Sequence, residues 1–524
     1  MNARLMLVLA AGLLPATAAR ADVTPHVLFT NNMVLQANRE IPVWGTADPG
    51  ERVQVLLEGR KVRAQDRTIA DANGRWQVTL PKQIAMTDDT QPLTLTFKGN
   101  NEITLTNILV GEVWIASGQS NMQMSLRSSQ DGEKAAAAAT DHRIRLYTVP
   151  NVAAPIPLKT IASRPKWQEC TPESVINFSA VAYYFAKHLR ADLKVPIGII
   201  HSSWGGTPAE AWTSRDALEE VPTLRYYNEA LDAAMKNYDP EKAREQYEEA
   251  LAKWEKAAAE AKSAGKPIPN KPRPQPNPAV SPWSPSSLYN AMISPLIPYA
   301  IAGAIWYQGE SNAGKAFEYR TLFPTMIKDW RKRWDYNFPF LYVQLAPWNV
   351  PKEQIWPELR EAQLMTLSLP KTGMAVITDV GDPTDIHPKQ KEPVGQRLAI
   401  AARGIAYNEP IEYSGPMFKS MRIDNDQILL AFDHVDGGLE KRGERLTGFT
   451  IAGADKKFIP ALAIITGKDK VRVFSPRLKE PKAVRYGWAN YPEVNLWNKA
   501  GLPASPFRTD AWELLTQPKL GPAK

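Results

Sequence analysis

Cysteine is almost absent. Of 524 residues only Cys170 is a cysteine, so no internal disulfide can form and the fold depends on no oxidising compartment. Histidine is scarce too, with six in all. No Cys/His or His-Glu-x-x-His cluster is present, so no metal and no cofactor are expected. Lys and Arg form no dominant cluster, and a formal charge of +8 is modest for this length. Nucleic acid is therefore not an expected partner. Long apolar runs are missing outside the N-terminus. There Arg4 precedes an apolar run over 5–14, and small residues follow to Ala19-Arg20-Ala21. The run is too short to span a membrane. It reads as an export signal, 1–21, cut after Ala21, which predicts a periplasmic protein with no membrane span. Cleavage would remove Arg4 and Arg20 and lower the charge to +6.

The chain is too long for one core, so about two or three domains are expected. Residues 22–107 carry turn signals such as Asp48-Pro49-Gly50 and Asp71-Ala72-Asn73-Gly74, with alternating runs between them. They predict a β-sandwich segment. Residues 108–407 alternate strand-like runs (113–116, 197–200, 300–306, 340–345, 374–378) with helix-length segments (175–193, 317–334, 356–369). This is the α/β pattern of a parallel sheet covered on both faces. Residues 408–517 return to short β runs and suggest a second sandwich segment. Within the α/β part, 215–285 reads as an insertion. It has a solvated helix rich in Ala, Glu and Lys, then a proline-rich linker. It could flank the site or be a passive surface hairpin.

The most informative stretch is Gly111-Glu112-Val113-Trp114-Ile115-Ala116-Ser117-Gly118-Gln119-Ser120-Asn121. An apolar strand ends in a tight turn, and a helix begins near Met122. Ser120 is thus delivered to the carboxyl end of a strand and the amino end of a helix, where α/β proteins place reactive groups. A serine hydroxyl needs a histidine base, a carboxylate to orient it and donors for an oxyanion. His387 follows the strand over 374–378, in Asp382-Pro383-Thr384-Asp385-Ile386-His387-Pro388. It is the preferred base, with His201, after the strand over 197–200, as competitor. Asp385 and Asp382 both precede His387. Two further loops after strands suit an oxyanion hole: His201-Ser202-Ser203-Trp204-Gly205-Gly206-Thr207 and Trp306-Tyr307-Gln308-Gly309-Glu310-Ser311-Asn312. Met122 stands where a Gly-x-Ser-x-Gly elbow would end, which argues against the α/β-hydrolase fold.

These four motifs resemble those of the SGNH hydrolase superfamily, in its sialate O-acetylesterase-like branch, which is related to bacterial hemicellulose and xyloglucan acetylesterases. The resemblance implies a flavodoxin-like three-layer domain inserted between the two β-sandwich segments, which would pack together as one accessory unit. It implies Ser120 as nucleophile and His387 as base. The superfamily's widest pattern has Asp three residues before the histidine, where this chain has Thr384. The branch's Asp-x-His pattern points to Asp385, with Asp382 as fallback. The implied oxyanion donors are Ser120, Gly205 or Gly206, and Asn312. Gln119, Trp204, Gln308 and Glu310, within the same motifs, are the expected substrate contacts. The implied activity is hydrolysis of O-acetyl groups on glycans through an acetyl-serine. An acetylated oligosaccharide of plant hemicellulose is preferred over 9-O-acetyl sialic acid as substrate.

Sixteen tryptophans are present, and Trp204, Trp212, Trp283, Trp306, Trp348 and Trp356 fall near the site loops, where flat faces suit sugar rings. Arg127 and Arg215 could serve a sialic acid carboxylate. Two rival classes remain. A glycoside hydrolase could pair Glu112 with Glu310, although Glu112 opens a strand and Glu310 follows one. A non-catalytic carbohydrate-binding protein would not need the Ser/His/Asp set.

Overall fold

The computed structural model describes residues 22–350, 353 and 355–519. The expected export signal, 1–21, lies outside the described residues. Among the described residues, no helix is long and apolar enough to cross a membrane.

One strand organises the molecule. Glu102–Gly118 runs for 17 residues, alternately exposed at first and buried on both faces from Ile108 on. That change in pattern marks a change of partners. The first half pairs antiparallel with Leu93–Lys98. The strand then takes Val34–Gln36 as a parallel neighbour. Its last part lies between Ile197–Ser203 and Gly303–Tyr307, parallel to both. Asn107 takes a left-handed conformation, φ 59°, just before the change. The boundary expected at 107/108 therefore falls inside a single strand.

The central sheet is ordered Asp141–Thr148, Ile197–Ser203, Glu102–Gly118, Gly303–Tyr307, Phe340–Val343, Thr372–Ala375, all parallel, with Gln168–Cys170 antiparallel at one edge. Without the first of these and the edge strand, the order is 2-1-3-4-5, that of flavodoxin-like doubly wound sheets. The winding direction reverses between Glu102–Gly118 and Gly303–Tyr307. In doubly wound sheets such a reversal is where ligands bind, at the carboxyl ends of the strands. Successive residues point to opposite faces. Val113, Ile115, Trp306 and Tyr342 join the core under helices Ala316–Trp334 and Trp356–Met365. Trp114, Ala116, Leu341 and Val343 join a second core under Ala180–Leu193 and Glu392–Ile405. The result is a helix–sheet–helix arrangement of three layers.

The two terminal segments differ from the expectation of one accessory unit. The N-terminal strands share the first core with the central sheet. The C-terminal segment has its own core, including Ile428, Ile451, Val471, Val484 and Phe507, between two four-stranded antiparallel sheets. Among the described residues, no strand of one terminal segment pairs with a strand of the other. The N-terminal apolar face is already covered by the central domain, so it needs no second sandwich. The insertion holds helices Arg215–Glu220, Tyr226–Asn237 and Pro240–Ser263. The last buries only Ala243 and is capped by Asp239, which accepts from Glu241 N at 3.0 Å and Lys242 N at 3.1 Å.

Candidate active site

The turn that carries Ser120 follows from Gly118. Its φ is +135°, and a Cβ there would lie 2.2 Å from the Tyr307 carbonyl oxygen, so only glycine lets the adjacent strand approach. Gln119 N donates to the same carbonyl at 3.0 Å, and the Gln119 carbonyl accepts from Met122 N and Gln123 N at 2.9 Å each. Ser120 therefore opens the short helix Ser120–Gln123. Its backbone N–H has no acceptor among the described residues.

His387, 267 positions away in sequence, places Nε2 at 2.8 Å from Ser120 Oγ. Its Nδ1 lies 3.4 Å from Asp385 Oδ1, and the same oxygen accepts the His387 backbone N–H at 2.8 Å. Asp382 does something else. Its Oδ1 accepts from Thr384 N and Oγ1 at 2.8 Å and from Asp385 N at 3.1 Å, an Asx-type turn that shapes the loop. Those bonds, led by the one from Thr384 N, hold the Asp382 carboxyl below its ordinary pKa. Of the two acids it is Asp385 that stands beside the ring. The competing His201 is buried, bonds Ser203 Oγ through Nε2 at 2.6 Å, and is pushed down to about 4 by desolvation.

Besides Ser120, the expected oxyanion donors are either Gly205 or Gly206, and Asn312. Gly205 lies against the serine: a Cβ there would be 3.3 Å from Ser120 Cβ. Its N–H donates to Gln123 Oε1 at 2.8 Å, so a neutral amide oxygen already occupies this donor. Gly206, φ +76°, makes no such approach. Its carbonyl instead accepts from Trp283 Nε1 at 3.0 Å. Asn312 is buried; its Nδ2 donates to Glu210 Oε2 at 2.8 Å, and its Oδ1 accepts from Ala209 N at 2.9 Å and Gln308 Nε2 at 2.6 Å.

Three expected substrate contacts are internal supports. Gln308 is fully buried, with Nε2 on Asn312 and Oε1 taking the Tyr319 hydroxyl at 2.8 Å. No edge of it faces solvent, so it orients Asn312. Gln119 is buried and accepts from Ser311 N at 3.3 Å, tying two loops together. Glu310 Oε1 accepts from Asn121 Nδ2 at 2.6 Å, and its other oxygen is buried without a partner. Desolvation raises its carboxyl above the ordinary range. Trp204 stays partly exposed.

Lys391 is the residue the sequence did not disclose. It is 1% exposed, and its Nζ donates to Asn121 Oδ1 at 2.5 Å. Burial pushes its ammonium down to about 7, opposed by the charges of Glu310 and Asp385. Asn121 Nδ2 also donates to the Ile386 carbonyl at 3.0 Å. The residue after the serine is thus tied to the residue before the histidine. A lysine in a polar loop ordinarily reads as solvated, and only the fold reveals this one as internal.

The remaining candidates divide by burial. Trp212, Trp306 and Trp356 are core residues, and Trp348 packs edge-on to Trp356 at 5.3 Å. Trp283 is 53% exposed beside Gly206. Arg215 pairs with Asp232 at 2.6 Å and Arg127 lies 3.7 Å from Glu133. Glu112 is bound to Gln36 and Tyr407, six residues before the strand's end at Gly118. The strand places it roughly 20 Å from the serine end, too far from Glu310 for a glycosidase carboxylate pair. Among the described residues, no group of three or more His, Cys, Asp or Glu could hold a metal ion.

A family model described as carbohydrate esterase, sialic acid-specific acetylesterase, matches residues 277–403. A carbohydrate acetylesterase from Xanthomonas citri is similar over nearly the whole length. It shows 38% identity, covers 94% of this chain and 100% of that one, and superposes with a TM-score of 0.78. The sialate O-acetylesterase of Rattus norvegicus is 27% identical over 91% of this chain and 92% of its own length. That of Homo sapiens is 27% identical over 91% of each.

Proposed function

Because this chain belongs to the sialate O-acetylesterase-like family of carbohydrate esterases, and is thus a carboxylic ester hydrolase acting on acetyl esters, we propose that Ser120, His387 and Asp385 carry the reaction. With Nδ1 protonated towards Asp385, His387 Nε2 accepts the Ser120 hydroxyl proton as Oγ attacks the acetyl carbonyl. The oxyanion is held by the N–H groups of Ser120 and Gly205 and by the second Nδ2 hydrogen of Asn312. Gln123 gives up Gly205 as it forms. The C–O bond to the sugar breaks, and the leaving alkoxide takes the proton from His387. Water, deprotonated by His387, then attacks the acetyl carbonyl; the bond to Ser120 Oγ breaks, Oγ takes the proton back from His387, and acetate leaves. The observation that carries this reading is the 2.8 Å contact between Ser120 Oγ and His387 Nε2. The order of the sheet, with the serine after its first strand, supports an SGNH-type domain.

The substrate we propose is an O-acetylated oligosaccharide of plant hemicellulose, xyloglucan or xylan. Its support is the exposed Trp283 and the partly exposed Trp204 beside Gly205 and Gly206, whose flat faces suit successive sugar rings. Arg127 and Arg215 already face carboxylates of the chain. A second reading, 9-O-acetyl sialic acid, is favoured by the family description and the mammalian relatives. Acetate release is to be measured from acetylated xyloglucan, acetylated xylan and 9-O-acetyl sialic acid, wild type beside Ser120→Ala. Release from either hemicellulose, abolished by the substitution, is expected. Release from the sialic acid alone would replace the first reading by the second, and release unaffected by Ser120→Ala would remove the serine from the mechanism. The segment 1–21 is proposed to direct export to the periplasm, which cell fractionation tests.

A further inference from the structure

A second cleft lies between the N-terminal strands and the central domain, with a volume of about 870 Å³ and no lining residue in common with the catalytic site. One wall is Trp44. It is on strand Ile41–Thr46, where Ile41 and Val43 are buried and Trp44 points to the other face, half-buried. The indole is stacked on His26, with ring centroids 4.9 Å apart, and meets the edge of Phe29 at the same distance. It is therefore rigid before any ligand arrives. The opposite wall is the proline-containing segment over 150–166. It is pinned by Ala154 N to the Ser287 carbonyl at 3.0 Å, by Leu158 N to the Asn290 carbonyl at 2.7 Å, and beyond its end by Trp167 Nε1 to the Leu28 carbonyl at 3.0 Å. A wall held at both ends loses little entropy on binding.

The charge in this cleft is one-sided. Arg75, Lys159, Arg164 and Arg333 line it, against Asp71 alone among acids. Arg75 is satisfied by Asp71 at 2.8 Å, and Arg333 by Asp216 at 2.8 Å. Lys159 and Arg164 are exposed and have no acidic partner among the described residues. A flat aromatic face on one wall and two unneutralised cations on the other, in a cleft of ligand-binding size, suit a sugar ring through its C–H face and a carboxylate through charge.

We propose that this cleft is a second glycan site that holds a carboxylate-bearing oligosaccharide, a uronic acid segment, apart from the ester being cleaved. It needs no part of the serine chemistry. The test uses the wild-type full-length protein and unacetylated ligands, so its failure is separate from failure of the esterase reading. Tetragalacturonate is titrated by calorimetry beside cellotetraose, a neutral oligosaccharide of equal length. Saturable binding of the acidic ligand is expected. It should weaken at least tenfold in a Lys159→Ala/Arg164→Ala variant and in Trp44→Ala, and should fall as salt is raised. The double variant changes only exposed side chains, so it decides the matter even where Trp44→Ala disturbs folding. Its hydrolysis of p-nitrophenyl acetate should be unchanged. Equal binding of cellotetraose, equal binding of inorganic phosphate, undiminished binding in the double variant, or no binding of tetragalacturonate would each overturn the proposal.

Discussion

Ser117, Gln119 and Asn121 around Ser120 are at most 3% exposed, whereas the side chains of His387 and Asp385 across from it are 41% and 49% exposed. The serine side is seated between two parallel strands and cannot shift without moving the sheet. The histidine side is a surface loop whose shape rests on the Asp382 turn and on a few bonds from below. Asn121 links the two by donating to both Glu310 and the Ile386 carbonyl, and Lys391 holds Asn121 from its other end. The difference teaches where accuracy comes from. The exposed half gets its position from the buried half, through polar groups that water cannot reach.

The largest expected effect removes the buried half's reactive atom. Ser120→Ala should lower kcat on an acetyl ester by on the order of 10⁵-fold with little change in Tm; a loss under tenfold would contradict the assigned nucleophile. On the exposed side, Asp385→Asn should cost about 10³-fold, less than for a buried triad acid, because the 3.4 Å contact is open to water. Asp382→Asn should cost only a few-fold, since it shapes the turn without touching the ring. Equal losses from the two would erase the distinction drawn between them. The link itself is tested by Lys391→Met, which keeps the volume and removes the charge. It should lower kcat by on the order of 10²-fold with KM little changed, as expected for a misplaced histidine. Unchanged kcat with a lower Tm would make Lys391 structural only.

The smallest effect concerns stability. His201 is held neutral in the folded protein, with a pKa of about 4 against 6.5 when unfolded. Between these values the unfolded chain binds the proton and the folded one does not, so stability falls as pH drops from 6.5 to 4. The loss from this residue is about 3 kcal/mol at most. Urea unfolding at pH 7 and pH 4.5 should show a smaller pH difference in His201→Asn than in wild type. An identical difference would show that His201 is not the group responsible.

The strands of the central sheet were legible because they are continuous apolar runs between turn residues, and the loops after them could be searched for chemistry. The same reasoning misplaced Gln308 and Gln119. An amide next to a reactive serine looks the same in sequence whether it faces a ligand or another side chain. It also split the strand Glu102–Gly118 at 107/108, because its exposed first half carries the alternation of a different sheet. The packing of the two terminal segments could not be read either, since an apolar β face does not say which surface covers it.

Ser120, His387 and Asp385 stand in motifs whose order along the chain, each after a strand, already limits them to one edge of a parallel sheet; that much the amino-acid sequence determined. Tertiary structure alone decided which histidine reaches the serine, which acid stands beside it, and that Lys391 is buried beneath both. The serine–histidine and Lys391–Asn121 contacts join residues 267 and 270 positions apart, and the choice between Asp385 and Asp382 turns on the conformation of their loop; local pattern fixes neither.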